Sequence, residues 1–291
     1  MVASKNHQHT CMKQFSILDL KYIAIIAMVI DHITVAFLRT AALSSSPQSV
    51  SFILYAVLRG IGRLTMPLMV FCLVEGFTHT RNLHRYLTRL FVFAVISHFA
   101  FVYFNYGSFF FTPKHPIYFQ TGIIAALFFA LLLLTVLFKT QLFIGVKILL
   151  SIVIFFLSFF CDWTFYPLLL ALIFYLFREH IFLKIFTYIL SIPFWIFFNR
   201  YTAIVKNSIT VNRVNVLHAW NETIAYFEKY YYFQLFMLGL FLVIPFIALY
   251  NGKKTKLKNA DTPKRQAVKK YFFYIFYPAH LIVLGWLKTF F

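Results

Sequence analysis

The stretch LDLKYIAIIAMVIDHITVAF, residues 18–37, decides what solvent this chain folds in. Its apolar run approaches the roughly 20 residues that a helix needs to cross a bilayer. It is longer than the apolar region of a cleaved leader, and it carries Asp31-His32 in its second half, where a leader has no use for them. Runs of similar character recur to the end of the chain. Of 291 residues, 62% are hydrophobic, 21% aromatic and 12% charged, whereas a soluble domain has about 25% charged residues. The 40 Phe and 18 Tyr must face something other than water, and lipid is the natural candidate.

The composition predicts an all-α, polytopic transmembrane helix bundle forming one integral domain over 1–291, since no Pro/Gly/Ser-rich linker divides it. Nine crossings are expected, at 19–38, 54–78, 89–104, 119–138, 148–161, 164–177, 184–198, 232–250 and 271–290. The segment 51–63 is either the start of the second crossing or an interfacial, re-entrant piece. The longest loop is expected at 199–231, outside, with Trp220, Asn221, Glu222 and Glu228 exposed on it.

The net charge of +19 would indicate nucleic acid in a soluble protein. Here the basic residues sit between apolar spans, where they set orientation. With the N-terminus inside and the C-terminus outside, eighteen of the 27 Lys and Arg fall on the cytoplasmic side and seven outside; Arg59 and Arg63 lie within the second crossing. Every inside loop then carries at least two basic residues. The stretch 251–270 is the most basic of them, a solvated cytoplasmic loop that could also attract anionic headgroups. Cys11, Cys72 and Cys161 are too scattered for a disulfide framework or a zinc site, and His79, His84 and His98 form no ligand set, so no metal is expected.

A charge at bilayer depth costs several kcal/mol unless it is paired or wetted, so such residues are functional candidates. Three of the eight acidic residues lie in or beside crossings: Asp31, Glu75 and Asp162. A carboxylate and an imidazole in apolar surroundings supply what a general base requires. Asp31 and His32, however, point about 100° apart on a helix and need not touch. The competing reading of His32 is a structural hydrogen bond to a neighbouring helix.

Lys21 precedes His32 by eleven residues, which puts both on nearly one face, about 16 Å apart along the axis. A long polyanionic cofactor could lay its phosphates at one and its reactive end at the other. A snorkelling, orienting lysine would look the same. Arg59 and Arg63, one turn apart, can hold an anion or pair with a carboxylate. Glu75-Gly76 is expected to end the second crossing, with Thr78 and Thr80 capping the next helix. Arg81, Arg85 and Arg89 form a stripe at four-residue steps that suits either orientation or a phosphate-rich ligand. Near the C-terminus, Pro278 should bend the last helix, and Tyr274, Tyr277 and His280 fall near one face. That patch is either a cavity wall or part of an aromatic belt.

Taken together, LDLKYIAIIAMVIDH at 18–32, RGIGRLTMPLMVFCLVEGFTHTRNLHRYLTRL at 59–90 and KKYFFYIFYPAHL at 269–281 resemble the TraX family; CDWTFYPLLLALIFYLFR at 161–178 matches more loosely, and 105–125 fits the pattern poorly. More distantly, the chain is similar to the large membrane acyltransferase type-three family. There a basic residue, ten residues and a His open the first crossing, and the His is the proposed catalytic residue. Two departures are visible: Lys21 stands where the larger family has Arg, and Glu75 where it has Ser. Lysine meets phosphate as a point charge rather than bidentately.

The resemblance implies a membrane acetyltransferase of the bacterial inner membrane, taking acetyl-CoA from the cytoplasm and acetylating a pilin N-terminus or an envelope glycan. It implies His32 as general base tuned by Asp31 or Glu75; Lys21, Arg59, Arg63, Arg81 and Arg89 toward the phosphates; and Tyr274, Tyr277 and His280 along the cavity. The expected partners are the lipid bilayer and an acceptor protein or glycan, not nucleic acid. Two other functions remain open: a proton-coupled transporter or flippase using Asp31 and Glu75, and a non-enzymatic assembly factor docking through 199–231.

Overall fold

The computed structural model describes residues 14–109, 121–210, 216–252 and 263–290, with side chains described throughout except at 207–210, 216, 233 and 263–270. The described residues are helical, with no strand among them and two isolated bridges, Phe15 with Tyr250 and Thr121 with Cys161. The helices are α1 (Ile17–Phe37), α2 (Arg39–Leu43), α3 (Val50–Gly62), α4 (Thr65–His79), α5 (Leu83–Tyr106), α6 (Ile123–Phe138), α7 (Ile144–Ser158), α8 (Tyr166–Leu176), α9 (Ile181–Thr210) and α10 (Val216–Tyr230). A 3-10 segment (Tyr231–Leu242) leads into α11 (Val243–Ala248), and α12 (Pro263–Leu287) is followed by a 3-10 turn (Lys288–Phe290).

Local chemistry explains several boundaries. Ser16 caps α1, accepting from the Asp19 backbone while the Asp19 carboxylate accepts from the Ser16 N–H at 2.8 Å, a reciprocal capping box. Asn82 caps α5 by accepting from the Arg85 N–H at 2.9 Å, in place of the expected Thr78 or Thr80. α4 runs through Glu75-Gly76 to His79, and the Thr78 hydroxyl donates back to the Glu75 carbonyl. Gly107, at φ +73°, closes α5 in the left-handed region that a residue with a Cβ adopts only at a cost.

Among the described residues, four helices are long and apolar enough to cross a membrane: 17–37, 50–79 (α3 and α4 as one span), 83–106 and 181–206. The count is five if 217–230 and 234–248, bent by 86°, form one span. The apolar stretches α6, α7 and α8 are shorter helices. Of the nine expected crossings, four or five meet the length and composition of a membrane span among the described residues. The segment 51–63 is the first half of a 30-residue span, broken at Arg63-Leu64.

The 199–231 region is mostly helical rather than an open loop: α9 continues to residue 210 and α10 occupies 216–230. α10 is amphipathic. It buries Ala219 and Thr223 and packs Trp220 and Phe227 against Phe197 of α9, while Glu222 stays exposed. The polar residues that suggest a loop are its outer face. The stretch 253–262, the heart of the expected basic loop, lies outside the described residues, as do Cys11 and Lys114.

Lipid explains the surface. Phe182 is 76% exposed and Phe156 66%, and apolar side chains of α5, α7 and α9 line the exterior in continuous rows; a soluble monomer rarely shows such patches. At the centre, α6 packs against α5, α7, α8 and α4, with Ala126, Ala130, Leu131, Leu133 and Leu134 fully buried. α1 lies on α3 and α4, and α12 lies along α5 and touches α1. Small residues permit the closest crossings, as is usual within membranes. Gly239 meets the Gly60 backbone, and a Cβ on Gly62 would collide with the Asp31 side chain. This close fit brings α3 onto the polar part of α1.

Candidate functional site

α1 carries Lys21 near its start and Asp31 and His32 in its second half, and the structure sends them to different surroundings. Lys21 turns toward α12, with its Nζ 5.6 Å from the Phe273 ring centroid. It lines a cavity of about 600 Å³ whose walls come from α1, α4, α5, α6 and α12. Glu75, His79 and Thr80 of the α4 terminus, Arg89 of α5 and Tyr250 after α11 line the same cavity. Going inward, the walls become apolar, and the far end is reached at Met28, Ile123 and Tyr277.

Of the residues singled out in the sequence, Lys21, Glu75, Arg89, Tyr274 and Tyr277 line this cavity. Asp31, His32, Arg59, Arg63, Arg81 and His280 do not. Met28 stands one turn before His32 on α1, so the cavity ends a single helical turn from the imidazole. Arg81 is exposed at the α4–α5 turn. Arg89 stacks against Tyr86 and Tyr274, its guanidinium carbon 5.5 and 5.6 Å from their centroids, and its Nε has no hydrogen-bond partner among the described residues. Glu75 accepts from the Tyr250 hydroxyl at 2.9 Å.

Asp31 pairs across the bundle rather than with His32. Arg59 Nη1 donates to it at 2.5 Å, and Arg63 Nη2 donates to both oxygens at 3.0 Å. Arg63 is itself sandwiched, 4.8 Å from Trp163 and 5.3 Å from Phe236. The one-turn spacing of the two arginines thus serves a carboxylate, the second of the alternatives it offered. Asp162, in the α7–α8 turn, interacts electrostatically with Arg63, Arg59 and Lys206. Its backbone N–H donates to the Thr121 carbonyl at 2.8 Å.

His32 turns inward. Its Nδ1 lies 2.8 Å from His280 Nε2, and its ring packs edge-on against Phe104 at 5.5 Å and Tyr277 at 6.4 Å. His280 Nδ1 lies 2.9 Å from the Phe276 carbonyl. The structure therefore joins the first and last helices through two histidines, with Tyr277 standing between them and the cavity end. Among the described residues, no group of three His, Cys, Asp or Glu is placed to hold a metal ion.

Sequence reasoning missed Tyr86, Cys72, Tyr250 and Phe273 on the cavity wall. Tyr86 could have been found, being three residues before Arg89 on the same helical face. Tyr250 could not, because its place depends on the chain pairing at Phe15, where the Asn251 N–H donates to the Phe15 carbonyl at 2.9 Å.

The comparisons with known proteins cover nearly the whole chain. Residues 16–288 match the family model described as TraX protein. The chain is 29% identical over 277 residues to "Probable fimbrial assembly protein FimC, serogroup H1" of Dichelobacter nodosus, covering 95% of this chain and 97% of that protein. No solved structure matches.

Proposed function

Because this chain belongs to the TraX family, we propose that it is a membrane-embedded acetyltransferase, moving an acetyl group from acetyl-CoA to an amine or hydroxyl of a pilin or an envelope glycan. The observation that carries the reading is the cavity. It has cations at its mouth, apolar walls, and an end one turn from a histidine. Its volume of about 600 Å³ lies within the range of roughly 300–1,000 Å³ usual for small-molecule sites.

The residues present fit the donor. Lys21 and Arg89 would hold its phosphates, and the Arg89 Nε, without a partner among the described residues, is a donor suited to one of them. Ile25, Leu73, Leu90 and Ile124 suit an uncharged arm. When bound, acetyl-CoA supplies an acetyl thioester, which an amine or hydroxyl can attack. His32 takes the proton from that amine or hydroxyl, and Tyr277 orders the space between the ring and the cavity end. Arg59 and Arg63, held by Asp31, set the field beside His32 instead of meeting phosphate. In an N-in orientation, the mouth near Lys21 opens to the cytoplasm of a bacterial inner membrane, where acetyl-CoA is made.

A transporter would need carboxylates free to load and release protons. Asp31 is clamped by two guanidiniums and Glu75 accepts from Tyr250, which supports transfer over transport. The relative's description as a fimbrial assembly protein favours pilin over glycan. The test is purified protein in nanodiscs with isotope-labelled acetyl-CoA, combined with mass spectrometry of envelope proteins and glycans from cells with and without it. The label should reach an acceptor, and one acetylated species should vanish without the protein. Identical spectra and no labelled acceptor would sink the reading.

A further inference from the structure

One hydrogen bond in the site fixes the direction of the next. The Phe276 carbonyl can only accept, so His280 Nδ1, 2.9 Å away, carries a proton. His280 is buried and makes no ion pair with a carboxylate among the described residues, so the neutral ring suits its apolar surroundings. A neutral imidazole protonated at Nδ1 has a bare lone pair at Nε2. That Nε2 lies 2.8 Å from His32 Nδ1. His32 must then donate from Nδ1, which leaves His32 Nε2 without a proton.

We propose that His280 is a positioning residue that holds His32 in the Nδ1–H tautomer, keeps its Nε2 basic, and steadies the imidazolium formed when Nε2 takes a proton. The proton-transfer part rests on the transferase reading; the tautomer part does not. In the step itself, the acceptor's N–H or O–H proton moves to His32 Nε2. The acceptor's lone pair bonds the acetyl carbonyl carbon, the carbon–sulfur bond breaks, and the departing sulfur receives the proton from Nε2. Nδ1 keeps its proton throughout and donates to His280 more strongly while the ring is charged.

A carboxylate usually does this work for a catalytic histidine. Asp31 is adjacent in sequence but its oxygens are occupied by Arg59 and Arg63, two cations that Asp162 also faces. An imidazolium beside these cations needs an acceptor of its own. The polar groups facing His32 are Asp31 from α1, Arg59 and Arg63 from α3 and the break after it, and His280 and Tyr277 from α12; α5 contributes the Phe104 ring. Among these, His280 alone offers Nδ1 an acceptor at hydrogen-bond distance.

The test reads the tautomer directly. Protein with 15N-labelled histidine rings is reconstituted in nanodiscs, with His32 identified by its loss in His32→Gln. The wild type should show His32 protonated at Nδ1 and bare at Nε2. His280→Phe should mix the tautomers, and His280→Gln, whose Oε1 can accept, should restore the first. In acetyl transfer, His280→Phe should lower kcat at least tenfold, toward the roughly 10⁴-fold seen where a tautomer-setting partner is lost. It should also shift the acid limb of the pH profile and leave KM for acetyl-CoA unchanged, and His280→Gln should recover most of the rate. A wild-type His32 protonated at Nε2, or a tautomer indifferent to His280→Phe, overturns the proposal. So does a His280→Gln variant as slow as His280→Phe. Absence of transfer by the wild type would overturn the transferase reading instead, and the ring spectra would still decide the role of His280.

Discussion

Arg63 spans both carboxylate oxygens of Asp31, donating at 3.0 Å to each, while Trp163 and Phe236 cover the guanidinium. Arg59 shares the same carboxylate, and Asp162 faces both guanidiniums, so the charges form one cluster inside the bundle. Removing one partner from a buried pair leaves the other charge uncompensated, which costs about 3–5 kcal/mol.

Asp31→Asn is therefore expected to lower the thermal midpoint in detergent sharply and to reduce recovery of monodisperse protein. Replacing Asp31 and Arg63 together by Leu and Met should recover part of the loss, since an apolar pair of similar volume is often tolerated. Thermal unfolding monitored by tryptophan fluorescence would check both. An Asp31→Asn protein as stable as the wild type would show the cluster to be wetted and mechanically idle.

The α3 contact with the 3-10 segment depends on two glycines. A Cβ on Gly239 would overlap the Gly60 backbone, which cannot swing away as a side chain can. Gly239→Val should cost more than the roughly 1–3 kcal/mol of ordinary overpacking. Gly145→Val, at an exposed part of α7, serves as the control and should be near neutral. Comparing their thermal midpoints tests whether this crossing is as tight as the backbone positions require.

Which parts of the molecule are legible in the sequence depends on which forces act locally. Apolar length announces a membrane helix, so α1, α4, α5 and the first part of α9 are visible in the sequence. α10 is not, because its polar outer face lowers the average that a search for spans relies on, although its Ala219, Thr223 and Phe227 keep helical spacing. Asp31 and His32 announce themselves by their cost in lipid. Their partners do not: a carboxylate beside an imidazole suggests a local pair, yet each side chain leaves α1 in its own direction, to Arg63 and to His280. That choice is made by which helices pack on α1, and so by Gly62 as much as by the charges. Arg59 and Arg63 likewise could serve an anion or a carboxylate by spacing alone. Only the approach of α3 to α1 decides between them.

Lys21 and Arg89 should act on donor binding. Each charge-assisted contact contributes roughly 1.5–3 kcal/mol, or about 10- to 100-fold in affinity, so Lys21→Ala and Arg89→Ala should raise KM for acetyl-CoA by that order. kcat at saturation should change little, because neither side chain is near His32. Lys21→Arg should retain most of the affinity, since a cation remains. Initial rates over a range of acetyl-CoA concentrations distinguish this from a general loss. An unchanged KM in both alanine variants would remove the mouth of the cavity from donor binding.

His32→Ala separates chemistry from architecture. Its ring packs against Phe104 and Tyr277 and bonds His280, so removing it opens a small void and leaves His280 Nε2 without its partner, a loss of a few kcal/mol at most. Removing a general base lowers rate by about 10²- to 10⁴-fold. The variant should still insert, elute as a single species and bind acetyl-CoA, because the cavity walls from Lys21 to Met28 do not include His32. It should transfer almost nothing. Acceptors with more acidic leaving protons should lose least, since they depend least on a base. Retention of near-normal transfer across all acceptors would remove the imidazole from the reaction and return it to the role of a bolt between α1 and α12.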